Sequence, residues 1–148
     1  MNKTVKAIPE GFQAVIPYLV VDGAEKVIEF LKQTFHAKEM MSMTRPDGKI
    51  GHTEMRIGDC VVMLADAWGP WKPMPAMIMV YTEDVDAVYQ RALQAGATSV
   101  SEPKDQFYGD RSAAVADACG NQWYIATHIE DVSEEELMRR HQTAAGAH

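Results

Sequence analysis

Three observations predict an α+β fold of two βαβββ modules followed by a short C-terminal helix. The order strand, helix, strand, hairpin occurs twice along the 148 residues. The two copies run at an offset near 61, so that Ile16 falls on Met77 and Met63 on Tyr124. Between them lies WGPWKPMPA (68–76), whose three prolines and one glycine suit neither a helix interior nor a central strand. Sequence identity between the halves is low, so the repeat is one of element order. The boundaries read as module 1 over about 12–67, a linker over 68–75, module 2 over about 76–130 and a terminal helix over about 133–142, all in one domain.

In module 1, AVIPYLVV (14–21) reads as a strand. The next segment, 22–35, carries Val27, Ile28, Phe30, Leu31 and Phe35 at helical spacing, with Asp22 as the expected N-cap. KEMMSMTR (38–45) reads as a strand ended by the turn Pro46-Asp47-Gly48. HTEMRI and CVVMLAD flank Gly58-Asp59, the pattern of a tight hairpin.

In module 2, MIMVYT (77–82) is a strand and 84–97 a helix with Val85, Val88, Ala92 and Leu93 on its apolar stripe and Gly96 as its stop. TSVSEP (98–103) is a short strand ended by Pro103, and RSAAVAD and NQWYIATH form a hairpin around Ala118-Cys119-Gly120. Ser133 with Glu136 three residues on is a capping box. The helix that it opens starts acidic and ends basic, as the helix dipole favours. The tail TAAGAH, with His148 at its end, is expected to fray.

Composition excludes several classes. No basic run marks a nucleic-acid partner in a chain of net charge −7, and no apolar run is long enough to span a bilayer. The first residues lack the apolar core of a signal peptide, so the expected location is cytoplasmic. Cys60 and Cys119 make neither a disulfide framework nor a zinc motif and read as inert thiols. Ten methionines are a hint of an adaptable binding surface, although most methionines in any protein are core.

The stretches YLVVDGAEKVIEFLKQTFHAKE, GHTEMRIGDCVVMLAD and YGDRSAAVADACGNQWYIATHIEDVSEEELMRR resemble the vicinal oxygen chelate superfamily of glyoxalases, bleomycin-resistance proteins and dioxygenases. The finer likeness is to its PhnB-like branch. The third stretch is the most specific, from Gly109-Asp110-Arg111 to the Thr127-His128 and Glu130-Asp131-Val132 tail. The resemblance implies a glyoxalase-like, curved mixed sheet with helices on one face and a cavity on the other. In metal-dependent members, His, Gln or Glu on the first and last strands of each module hold a divalent ion. Here those positions fall on Ile16, Met63, Met77 and Tyr124, none a usual ligand for zinc, nickel or iron. The expectation is therefore no metal and no other cofactor.

Hairpin register assigns faces. If Gly58-Asp59 is a two-residue turn, Ile57 pairs with Cys60, Glu54 with Met63 and His52 with Ala65. His52, Glu54 and Arg56 then share the cavity face with Met63, and Thr53, Met55, Ile57, Val62 and Leu64 take the helix face. In the second hairpin, pairing Val115 with Gln122 and Ala113 with Tyr124 sends Arg111, Gln122 and Tyr124 inward. Tyr18, Met77, Met79 and Tyr81 join them from the first strands. The expected site has Glu54 and His52 as acid/base groups and Tyr18, Arg56, Met63, Met77, Tyr81, Arg111, Gln122 and Tyr124 as ligand contacts.

Each has a plainer reading. Glu54 and Arg56 would neutralise each other, Arg111 would be tied to a backbone carbonyl or a carboxylate at the rim, and the tyrosines would be core aromatics. Trp68 and Trp71 either cover a cavity mouth or interface, or pack under their loop. A separate metal site at His128 and Glu130 with His52 has no spacing rule behind it.

Three functions stay open. One is a homodimeric protein that binds a small organic molecule in a metal-free cavity. The second is a lyase or isomerase with Glu54 or His52 as acid/base. The third is a dimeric interaction module without a ligand.

Overall fold

The structure, a computed structural model, describes residues 4–146; His148 lies outside the described residues. The chain divides into two compact units, one ending at Pro75 and the other beginning at Ala76. In the first, β1 (Tyr18–Val21), α1 (Ala24–Phe35), β2 (Lys38–Thr44), β3 (Ile50–Ile57) and β4 (Cys60–Asp66) build a sheet of order β1-β4-β3-β2. The second holds β5 (Met77–Tyr81), α2 (Val85–Gln94), β6 (Thr98–Asp105), β7 (Asp110–Ala116) and β8 (Gln122–His128), in the order β5-β8-β7-β6, followed by α3 (Glu134–Gly146).

This is the α+β fold of two βαβββ modules, with its strands in two four-stranded sheets. The β1–β4 and β5–β8 pairs are parallel and the others antiparallel, so each sheet is mixed. The parallel ladders repeat at the expected offset: Tyr18 opposes Met63, and Met79 opposes Tyr124.

The first hairpin has the register that its turn dictates. Ile57 pairs with Cys60, Arg56 with Val61 and Glu54 with Met63, because Gly58 supplies the positive φ (60°) that a two-residue turn needs. One face therefore buries Thr53, Met55, Val62 and Leu64 with α1 on β3 and β4. Each apolar side chain so buried contributes about 1.5–3 kcal/mol. The opposite face carries His52, Glu54, Arg56 and Met63, all half-buried.

The second hairpin departs from its expected register by one residue. Val115 opposes Trp123, Ala114 opposes Tyr124 and Ser112 opposes Ala126. Its three-residue loop, Ala118-Cys119-Gly120, is itself a tight turn, with the Gly120 N–H donating to the Asp117 carbonyl at 3.1 Å and Gly120 at φ 86°, and it sets Asp117 against Asn121. Its loop is closed by the Asp117 N–H donating to the Asn121 carbonyl, while the Asp117 carboxylate accepts from the Trp123 indole and the Asn121 side chain. Because side chains alternate along a strand, the shift exchanges the faces of every β7 residue. Arg111 and Ala113 thus lie on the face that packs α2, with buried Val115, Trp123 and Ile125. Asp110, Ser112 and Ala114 take the other face.

Smaller departures have local causes. The first strand begins only at Tyr18, because Pro17 has no N–H to donate. Ahead of it the Gln13 side-chain amide substitutes for a peptide group, donating to the Val61 carbonyl and accepting from the Val61 N–H. Gly23, not Asp22, occupies the N-cap of α1, at φ 117°. Strand β6 continues through Pro103 to Asp105, as an edge strand with a register shift there allows. Finally, α3 runs on to Gly146, into the tail expected to fray, and its Ser133 hydroxyl accepts from the Glu136 N–H as the capping box predicts.

Candidate functional site

The first unit holds a cavity of about 650 Å³. Tyr18 and Val20 of β1 and Ala65 of β4 form its floor, and the indoles of Trp68 and Trp71 form its lip. That volume suits a small organic molecule. Sequence dictates the lip: Trp68-Gly69-Pro70-Trp71 is a turn in which the two tryptophans exchange backbone hydrogen bonds of 2.9 and 3.0 Å. Gly69 takes a positive φ of 57°. The indoles are 61% and 62% exposed, so they do not pack under their loop. A hydrogen bond from the Met74 N–H to the Val20 carbonyl ties the following segment to β1.

A hydrogen-bonded row runs into the cavity wall. Nδ1 of His52 lies 2.9 Å from the Tyr18 hydroxyl, and its Nε2 lies 3.0 Å from Oε2 of Glu54. The sheet order explains the meeting. Tyr18 opposes Met63 and Met63 opposes Glu54, so β1 reaches over the small Ala65 side to β3. Burial, and then the Glu54 charge, push the Tyr18 phenol above its ordinary pKa, which favours the neutral form. Met41 and Met43 of β2 oppose Glu54 and His52 and extend the face with flexible thioethers.

Two further groups shape the wall, and sequence reading had missed both. The Asp66 carboxylate accepts from the Gly23 and Ala24 N–H groups with Oδ1 and from the Ile50 N–H with Oδ2. Burial alone raises its pKa, but those three bonds and the Arg45 charge hold it below the ordinary range. Arg45 in turn donates to the Asp66 and Ala67 carbonyls. Asp66 ends β4 and Arg45 follows β2, each at the end of a segment read as a strand; only the fold brings them together.

Arg56 is on the expected face, but its guanidinium donates to the Gly11 carbonyl at 2.9 Å, and Glu54 pairs with His52 instead. The mutual neutralisation of Glu54 and Arg56 is therefore not formed. Cys60 is exposed, and burial of its sulfur followed by the Asp59 hydrogen bond raise its pKa, the opposite of an activated nucleophile.

In the second unit, Met77, Met79 and Tyr81 share the open face with Gln122 and Tyr124. Arg111 does not. It donates to Asp86 of α2 at 2.8 and 2.9 Å and to Asp105 at 3.0 Å, which raises its pKa and ties it to carboxylates on the helix face. Its neighbour Asp110, 3% exposed, takes the inward position and accepts from the Tyr81 hydroxyl (2.7 Å) and pairs with His128 (2.9 Å). The Tyr124 hydroxyl lies 2.7 Å from that of Tyr108 and 2.9 Å from that of Ser112. Burial first, then the Tyr124 bond, push Tyr108 up to about 12. The tripeptide Tyr108-Gly109-Asp110 was the available signal for these groups.

The positions expected to carry a metal in metal-dependent relatives do not fit one. Ile16 precedes β1, Met63 and Met77 offer thioethers, and the Tyr124 phenol is shared between Tyr108 and Ser112. His128 is bonded to Asp110 and Asp131, and Glu130 to Arg140. Among the described residues, no group of three or more His, Cys, Asp and Glu side chains is arranged to hold a metal ion. No helix among them is long and apolar enough to cross a membrane.

Duplicated βαβββ modules of this kind define the glyoxalase-like class of folds, and residues 12–125 match one family of it. The chain belongs to the Glyoxalase/Bleomycin resistance protein/Dioxygenase superfamily. It is 38% identical over 135 residues to the uncharacterised protein Mb0911c of Mycobacterium bovis, covering 84% of this chain and 89% of that one. Among solved structures it is similar to TioX from Micromonospora sp. ML1, with TM-score 0.68 and 22% identity over 79% of this chain and 99% of that one. It is also similar to TnmS3, an antibiotic binding protein from Streptomyces sp. CB03234, with TM-score 0.62 and 21% identity over 78% and 98% of the two chains. At those identities the structures share the fold.

Proposed function

We propose that this protein binds a small, planar organic molecule in the cavity of its first unit, without a metal ion. The observation that carries the reading is the pair of half-exposed indoles, Trp68 and Trp71, over a cavity of about 650 Å³. Exposed tryptophans at a concave, mainly apolar site are costly to solvate and well suited to stack on a flat ligand. Superfamily membership and the antibiotic-binding description of TnmS3 support it. The metal-free part rests on the donor chemistry of Ile16, Met63, Met77 and Tyr124. Membership of the PhnB-like branch rests on the block from Gly109 to Val132, and a homodimer is the assembly we infer for it.

A thermal-shift screen of planar aromatics tests binding. A ligand at one hundred times its Kd stabilises by about 2.7 kcal/mol. The shift should vanish in a Trp68→Ala/Trp71→Ala variant and survive treatment with a chelator. A screen without hits, or shifts that need added zinc or nickel, would sink the reading.

A second reading, acid/base turnover of the bound molecule by a lyase or isomerase, is favoured by one observation: the row Tyr18–His52–Glu54, which reaches the cavity through Tyr18. Such a row relays a proton between ligand and carboxylate. Conversion of a bound ligand, lost in Glu54→Gln at ligand concentrations that still saturate the site, would establish it.

A further inference from the structure

The same row gives the cavity wall a direction. An ionised Glu54 only accepts hydrogen bonds, so Nε2 of His52 carries the proton in the 3.0 Å contact between them. A neutral imidazole has one N–H. Nδ1 is then an acceptor, and the 2.9 Å contact to Tyr18 is filled by the phenol's own proton. Tyr18 has no second proton to offer. Tyr18 lines the cavity, and its oxygen keeps an acceptor lone pair and no donor. The side chains of His52 and Glu54 are only 19% and 12% exposed, which protects this arrangement from water.

The two charged groups of the wall are occupied, and the indole N–H groups of Trp68 and Trp71 can only donate, which leaves the Tyr18 oxygen as the side-chain acceptor. Arg45 donates to the Asp66 and Ala67 carbonyls and to Asp47, and both Asp66 oxygens accept from backbone N–H groups. What remains is Val20, Ala65 and two indoles. Resting on the cavity reading above, we propose that the bound molecule is a planar aromatic with an N–H or O–H donor at its edge. The Tyr18 oxygen, held as an acceptor by His52 and Glu54, selects that donor over an isosteric ether. An ether oxygen in the same place sets lone pair against lone pair, and a site built for a donor penalises its absence.

Isothermal titration calorimetry with 2-naphthol and 2-methoxynaphthalene, at about pH 8 where histidines are generally neutral, tests this. The wild type should bind the naphthol at least about fivefold more tightly, the worth of one net hydrogen bond. In Tyr18→Phe, which keeps the ring, the preference should collapse towards one with the ether's affinity little changed. Glu54→Gln should lower it too. A glutamine amide can donate to Nε2, which turns the imidazole over and frees the Tyr18 proton; a merely structural Glu54 would not alter the ratio of the two probes. Equal affinities in the wild type, or a preference that survives Tyr18→Phe, overturn the donor selection and leave cavity binding standing. Failure of both probes to bind overturns the cavity reading with it.

Discussion

Asp66, the last residue of β4, closes the start of α1: its Oδ1 accepts the Ala24 N–H at 2.9 Å. A strand end thereby does the work of an N-cap, which Gly23 cannot do without a side chain, and the same carboxylate holds Ile50 at the start of β3. The cavity wall thus depends on one buried acid.

Replacing Asp66 with Asn should cost about 2–3 kcal/mol in urea unfolding, because an amide NH2 then confronts a backbone N–H. The pH dependence has a definite sign. A carboxyl held below its unfolded pKa contributes stability that is present above about pH 4 and lost as pH falls through the folded value. Wild type should therefore lose stability below about pH 4 more steeply than Asp66→Asn.

His128 runs the other way. Hydrogen bonding to Asp110 first, and to Asp131 next, raises its pKa. Its contribution is complete below the unfolded histidine value of about 6.5 and fades as pH rises through the folded one. The Tm of wild type relative to His128→Asn should fall between about pH 6 and pH 9, and an NMR titration of His128 should show the raised value. A flat difference between the two proteins would contradict the pairing.

Gly109 and Gly58 both have positive φ, 99° and 60°. A Cβ on Gly109 would sit 2.3 Å from the Glu130 carbonyl oxygen, whereas one on Gly58 meets nothing within 4 Å. Gly109→Ala should cost more than about 3 kcal/mol and Gly58→Ala only the left-handed penalty of about 1 kcal/mol, both read from denaturant midpoints. Similar costs at the two sites would contradict the tight approach of β7 to the segment after β8.

The three tryptophans should separate cleanly. Trp123 is fully buried and donates to Asp117 at 2.9 Å, so Trp123→Ala should cost about 3–5 kcal/mol. Trp68→Ala and Trp71→Ala should cost less than about 1 kcal/mol, since both indoles are exposed. In emission spectra the single-tryptophan protein retaining Trp123 should be blue-shifted and unresponsive to cavity ligands.

Much of this protein was legible in the chain itself. The element order, the 61-residue offset and the linker follow from local signals: apolar periodicity, proline and glycine. The first hairpin's register was legible too, because Gly58-Asp59 leaves no freedom in the pairing, and with it came the shared face of His52, Glu54 and Met63. The second hairpin turns through three residues, Ala118-Cys119-Gly120, and the expected pairing did not follow that loop. Its loop is set by the Asp117 carboxylate gathering partners up to six residues away, and one residue of slip moved Arg111 out to Asp86 and brought Asp110 in to Tyr81 and His128.

By itself the sequence determined the modules and the faces of the hairpin that turns at Gly58-Asp59. Only the tertiary structure decided what those faces do: that Glu54 pairs with His52 rather than Arg56, that Tyr18 completes the row, and that Asp66 caps a helix 42 residues earlier. The reason is physical. A two-residue turn fixes alternation within a hairpin, but hydrogen-bond partners are chosen among side chains that only folding brings within 3 Å of one another.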